Sequence, residues 1–136
     1  MTQDEKDLLI KDLFPRIPYD VKVNCNDKIY NISGIQGFNI CWLSDENNIN
    51  AFTTAGVKYL KPYLFPLSSM TEEQEKELSK LGVSYSEYAL HEDMRGLGIM
   101  VEDAYIFFEF CYKHHIDFLG LIDMGLAIDC TNLNIY

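Results

Sequence analysis

The chain has 136 residues, 48% of them apolar and 13% aromatic, and carries a formal charge of −10. This composition suits one folded domain with one core and excludes disorder as the default state. No apolar run reaches the roughly 18 residues of a membrane helix, and the acidic stretch Met1 to Lys11 lacks the basic-then-apolar order of a secretion signal.

The charge is lopsided. Residues 1–66 hold eight acids and seven bases, whereas residues 67–136 hold thirteen acids and four bases. Nucleic-acid affinity rests on clustered Lys and Arg, so no nucleic-acid partner is expected. The acidic half serves as a solubilising surface, docks on a basic partner, or in the sharpest version imitates DNA through Glu72, Glu73, Glu75 and Glu77. Cys25, Cys41, Cys111 and Cys130 show no short spacings. They are expected as reduced, buried thiols, and the cytoplasm is the default location.

In chain order, Thr2 and Glu5 have capping-box spacing, and Leu9, Ile10, Leu13 and Phe14 recur at helical intervals. This predicts a short helix stopped by Pro15 and Pro18, with Asp4, Asp7, Lys11 and Asp12 in water. The period then changes to two. Val21, Val23 and Cys25 alternate with Lys22 and Asn24, and Tyr30 and Ile32 with Asn31 and Ser33. Asn26-Asp27 between them is turn chemistry, so a β-hairpin is expected. Gly34 and Gly37 mark a bend or bulge. Phe38, Ile40 and Trp42 then lead a third strand, alternating with Asn39 and Cys41.

Ser44 to Asn50 reads as an exposed polar loop. A fourth strand starts at Val57 and Tyr59, and Pro62 prevents it from running on through a sheet interior. Three or four such strands make an antiparallel meander, with a small barrel as one way of closing it. The second half reads as two to three helices. Ser69 or Thr71 caps a surface helix from Glu72 to Leu81, ended by Gly82. Tyr85 to Glu92 adds a short helix, followed by a break at Met94 to Gly98. Val101 to His115 is apolar around most of its circumference, which predicts a buried central helix. Phe118 to Ile128 supplies an edge strand near Leu126 to Ile128 or an ordered loop. The whole is expected to be one α+β domain spanning residues 1–136, its strands and helices forming two layers.

Chemistry is sparse. Cys111 with His114 or His115 has ligand spacing on one helix, with His91 and Cys130 available elsewhere, but the paired short spacings of a zinc site are missing. The bland reading is a core thiol and histidines that suit a helix C-terminus. Glu92-Asp93 and Glu102-Asp103 lack the burial an acid–base pair needs, and the second pair stabilises a helix start. There is no nucleophile elbow or P-loop, and Gly96-Leu97-Gly98 lacks a preceding strand. No catalytic residue, metal or cofactor is therefore assigned.

The segment Lys61 to Met70 is unusual. Two prolines set an extended path, with Tyr63, Leu64, Phe65 and Leu67 between and beside them. It is either a buried crossing from sheet to helix or an exposed aromatic strip, in which Lys61, Tyr63, Phe65, Ser68 and Ser69 would meet a partner protein or a second copy.

That segment also carries a resemblance. KPYLFPLSSMTEEQEKEL (Lys61 to Leu78) and FLGLIDMGLAID (Phe118 to Asp129) resemble a group of uncharacterised small proteins of phages, prophages and mobile elements of Bacteroidales bacteria. The resemblance implies an accessory protein of a mobile element, and brings no catalytic residues with it. The leading expectation is a non-enzymatic interaction module or self-associating accessory protein. Its alternatives are the DNA mimic and a small enzyme or ligand-binding domain sited between sheet and helices, using His91, Glu92 or Tyr63.

Overall fold

A computed structural model describes residues 1–37, 39–83 and 101–136. The expected short helix Tyr85 to Glu92, the break after it, and Phe38, His91, Glu92 and Asp93 lie outside these residues.

Helix α1 spans Gln3–Arg16 and opens with the expected capping box, Thr2 Oγ1 accepting from Glu5 N–H and Glu5 accepting from Thr2 N–H. It does not stop at Pro15. A proline this close to the end removes one backbone bond, and the last turn is held instead by the Asp12–Arg16 pair. Asp12 is fully buried rather than wet, because Arg16 is buried beside it. Phe14, expected on the apolar stripe, is exposed.

Strands β1 (Lys22–Cys25) and β2 (Lys28–Gln36) form the expected hairpin, with Asn26 and Asp27 both at positive φ in the turn. The β2–β3 register shifts between Ile32 and Gly34, a bulge where the glycine suggested one. Strand β3 (Ile40–Asp45) turns directly into β4 (Asn48–Gly56) through Glu46 and Asn47. The polar stretch expected as a loop is thus a tight hairpin whose second strand was not foreseen. Val57–Tyr59 is a 3₁₀ turn, not the start of a strand.

The faces of β3 are also the reverse of a simple reading. Cys41 and Leu43 are buried while Ile40 and Trp42 are each 44% exposed. The register decides this: Leu43 lies opposite the buried Ile32, and Trp42 lies opposite Gly34.

The Lys61 to Met70 segment supplies β5 (Lys61–Pro66), which lies in the sheet interior between β1 and the two short C-terminal strands. Pro62 is tolerated because parallel pairing on its far side begins only at Tyr63. There β7 (Ile128–Asp129) pairs at Tyr63 and Leu64, and β6 (Ile116–Asp117) at Phe65 and Pro66. The strand order is β4-β3-β2-β1-β5-β6, an open sheet and not a barrel.

Two clusters of buried residues form. The first joins Leu9 and Leu13 of α1 to Val23, Ile32, Leu43 and Leu64 on the inner sheet face, with Leu121 and Leu126. The second gathers Leu67, Leu78 of α2 (Glu72–Lys80), Phe107, Phe110 and Cys111 of α3 (Val101–Lys113), and Phe118. Helix α3 is buried on one side only. Tyr105, expected inside, is 74% exposed, and Glu109 faces water.

Arg16 bridges the two clusters. Its guanidinium grips both Asp12 carboxylate oxygens and donates to the backbone carbonyls of Cys111, 3.2 Å, and Ile116, 2.7 Å. The last carbonyls of a helix lack intrahelical donors, so a buried guanidinium there caps α3 while tying it to α1. Tyr112 and Phe118 present their rings to the same cation.

Candidate functional site

The five candidate residues of the Lys61 to Met70 strip fall apart by position. Tyr63 is buried, and its hydroxyl accepts from Asn24 Nδ2 at 3.0 Å. Phe65 is half-buried and packs near Tyr136, with ring centroids 6.0 Å apart. Ser69 Oγ donates locally to Pro66 O. Lys61 and Ser68 are exposed, at opposite ends. The aromatic residues form no exposed strip, because the sheet needs an apolar central strand and this is it. The buried-crossing reading holds.

The C-terminus covers the outer face of β1 and β5. Tyr136 Oη accepts from Lys22 N–H at 2.9 Å and donates to Tyr63 O at 2.8 Å. Burial of that hydroxyl pushes the phenol pKa upward, even though 41% of the residue as a whole is exposed. The Tyr136 ring stacks on His115 at 3.7 Å and 9°. His115 sits at φ +58°, and burial lowers its pKa to about 4. A neutral ring is the result at pH 7.

The outer face of β3 and β4 is the opposite case. Ile40, Trp42 and Ser44 share one face of β3 and stand opposite Gly56, Thr54 and Phe52 of β4. Phe52 is 59% exposed, and Tyr59 beyond the strand end is exposed as well. Among the described residues β4 pairs with β3 and has no second neighbour. From Asn47 to Val57 the chain carries no charged residue. Natural edge strands are ordinarily shielded by Lys, Pro or a bulge facing the open side. This one lacks both residue types, and its one irregularity is a register shift between the Asp45–Asn48 and Ser44–Phe52 pairs, leaving Phe52 to Gly56 in regular pairing with β3. Nothing in the residues alone picks it out, because NINAFTTAG alternates weakly and follows a stretch of turn formers.

A groove of about 410 Å³ lies between the end of α1 and α3. Pro15, Pro18 and Tyr19 form one wall, and Tyr105, Phe108, Glu109 and Tyr112 the other. The i, i+3, i+4, i+7 spacing of the α3 residues puts them on one stripe, which could have been read as a surface groove only with α1 in place. It is not the predicted site between sheet and helices.

The remaining chemistry is quiet. All four cysteines are free and buried, and burial raises the pKa of Cys41 and Cys130 to about 11 each and that of Cys111 further. Such thiols are protonated and poor nucleophiles at neutral pH. Among the described residues no three His, Cys, Asp or Glu side chains gather as a metal site. Glu72, Glu73 and Glu75 occupy the first turn of α2, where carboxylates complement the helix dipole. Glu77 is engaged by Lys113 and His114 of α3. Among the described residues no helix is long and apolar enough to cross a membrane.

Comparison of the chain with family models, with curated proteins and with solved structures gave no match to any of them.

Proposed function

We propose that this protein is a non-enzymatic, self-associating module in which β4 of one copy pairs with β4 of a second. The observation that carries the reading is the nine-residue β4 edge, open among the described residues and free of charge in a chain of −10. Two copies so acidic repel each other over most of their surfaces. An edge with no Asp or Glu from Asn47 to Val57 lets backbone groups approach without opposing like charges.

Antiparallel pairing about a two-fold axis makes the contact self-complementary, the commonest symmetry of homo-oligomers. Phe52 is the middle residue of β4, so pairing centred there brings the two Phe52 rings together on the outer face. On the same face of β3, Trp42 and Ile40 follow farther along, opposite Thr54 and Gly56. An accessory protein of a mobile element is the context that the Lys61 to Leu78 and Phe118 to Asp129 resemblance implies.

Analytical ultracentrifugation tests this. A dimer is expected at micromolar concentration, persisting or strengthening in 0.5 M salt as like-charge repulsion is screened. Phe52→Lys, which puts two ammonium groups face to face, is expected to give a monomer. A monomeric wild type, or a dimer untouched by Phe52→Lys, overturns the reading.

A further inference from the structure

The groove between α1 and α3 has a chemistry unrelated to the β4 edge. Its walls are aromatic and prolyl, and among the described residues its lining includes one ionisable carboxylate, Glu109, and no basic side chain. Tyr19 Oη donates to Glu109 Oε1 at 3.2 Å, placing a ring beside the charge. Lys113, one turn along α3, is drawn to Glu77 on α2 at 3.2 Å. Tyr105 stands 74% exposed at the rim, an aromatic ring in water with no apolar cover.

Aromatic faces attract cations through their quadrupole, most strongly where the cation is weakly hydrated, and a carboxylate adds direct attraction. The protein already uses this pairing next to the groove: the Arg16 guanidinium lies 5.2 Å from the Tyr112 ring centroid. Tyr112 thus contacts a buried cation and also lines the groove. A volume of about 410 Å³ falls within the range of small-molecule sites, about 300–1,000 Å³.

We propose that this groove binds a small organic cation of the quaternary-ammonium class, its methylated head against Tyr19, Tyr105 and Tyr112 and its charge facing Glu109. A neutral apolar ligand would leave the carboxylate desolvated for nothing, and a metal ion would find one carboxylate where it needs several oxygens.

The experiment titrates choline and its neutral carbon analogue, 3,3-dimethyl-1-butanol, into the full chain, following tyrosine ring resonances by NMR. Choline is expected to shift Tyr19 and Tyr105 signals saturably, with the neutral analogue at least tenfold weaker. Glu109→Gln and Tyr105→Ala are each expected to weaken choline about tenfold while leaving the thermal melt unchanged, since both side chains are exposed. Equal affinity for the two ligands, shifts confined to other residues, or no shift at tens of millimolar choline would each overturn the proposal. So would a trimethyllysine peptide binding a hundredfold tighter than choline, which would make the occupant a partner protein. The β4 reading is untouched by any of these results, because Phe52 lies on another face.

Discussion

The two ends of the sheet's outer face make opposite use of aromatic side chains. At the β5 end Tyr63 is buried and hydrogen-bonded, Phe65 packs near Tyr136, and Tyr136 stacks on His115 while bonding to the β5 backbone. At the β4 end Trp42 and Phe52 lie open to water. The residue types are alike. What differs is that, among the described residues, another piece of this chain reaches them at the β5 end and none does at the β4 end, which the proposed β4 pairing would cover.

That contrast can be broken or sharpened by substitution, the largest effect first. Arg16→Met leaves the Asp12 carboxylate buried without its partner and strips the donors from the Cys111 and Ile116 carbonyls. Urea unfolding is expected to show a loss of about 3–5 kcal/mol, and adding Asp12→Leu should restore part of it. A loss below 1 kcal/mol would mean that α1 and α3 are not joined through this pair.

Tyr136→Phe removes one oxygen that serves both Lys22 N–H and Tyr63 O. The expected cost is about 1–3 kcal/mol, read from the same urea midpoint, because both backbone groups lose their bond in a covered site. An unchanged midpoint would show the cover to be dispensable.

His115 gives the covered end a pH dependence. Its pKa is lowered from 6.5 to about 4 by burial, so the unfolded chain binds the proton first as pH falls. The stability from its neutral form is present above pH 6.5 and is lost as pH drops toward 4. His115 is only partly buried, so this amounts to about 1–2 kcal/mol after screening. His115→Asn, which tolerates the positive φ, should remove that slope between pH 6.5 and 4 in a series of denaturant melts. An unchanged slope would place the titration elsewhere.

The smallest effect on folding belongs to the open end. Phe52→Lys is expected to shift monomer stability by no more than about 0.5 kcal/mol while abolishing the dimer, the reverse of Tyr136→Phe. A large loss of monomer stability would erase the distinction between the two ends.

Much of the first sheet was legible. The alternation from Val21 to Ile32, the Asn26-Asp27 turn, the capping box at Thr2 and a cap at Ser69 or Thr71, which the structure places at Thr71, are local signals, each decided by residues within a turn of one another. The surface helix α2 and its end at Gly82, with φ +87°, belong to the same class. The candidate sites were not legible. Tyr63 and Phe65 were singled out for being apolar, and apolarity alone does not distinguish a partner's surface from a central strand. Ser44 to Asn50 was set aside for being polar, yet pairing with β3 makes most of it hairpin.

Local chemistry by itself determined where the chain turns, where its helices begin and that one α+β fold results. The tertiary structure alone decided which face of β3 is wet, that β5 is interior despite Pro62, and that Asp12 and Arg16 meet in the core. The physical reason is range. Caps and turns are settled by bonds between neighbours, whereas inward and outward, edge and centre, are set by register and by contacts such as Arg16 to Ile116, formed between residues a hundred positions apart.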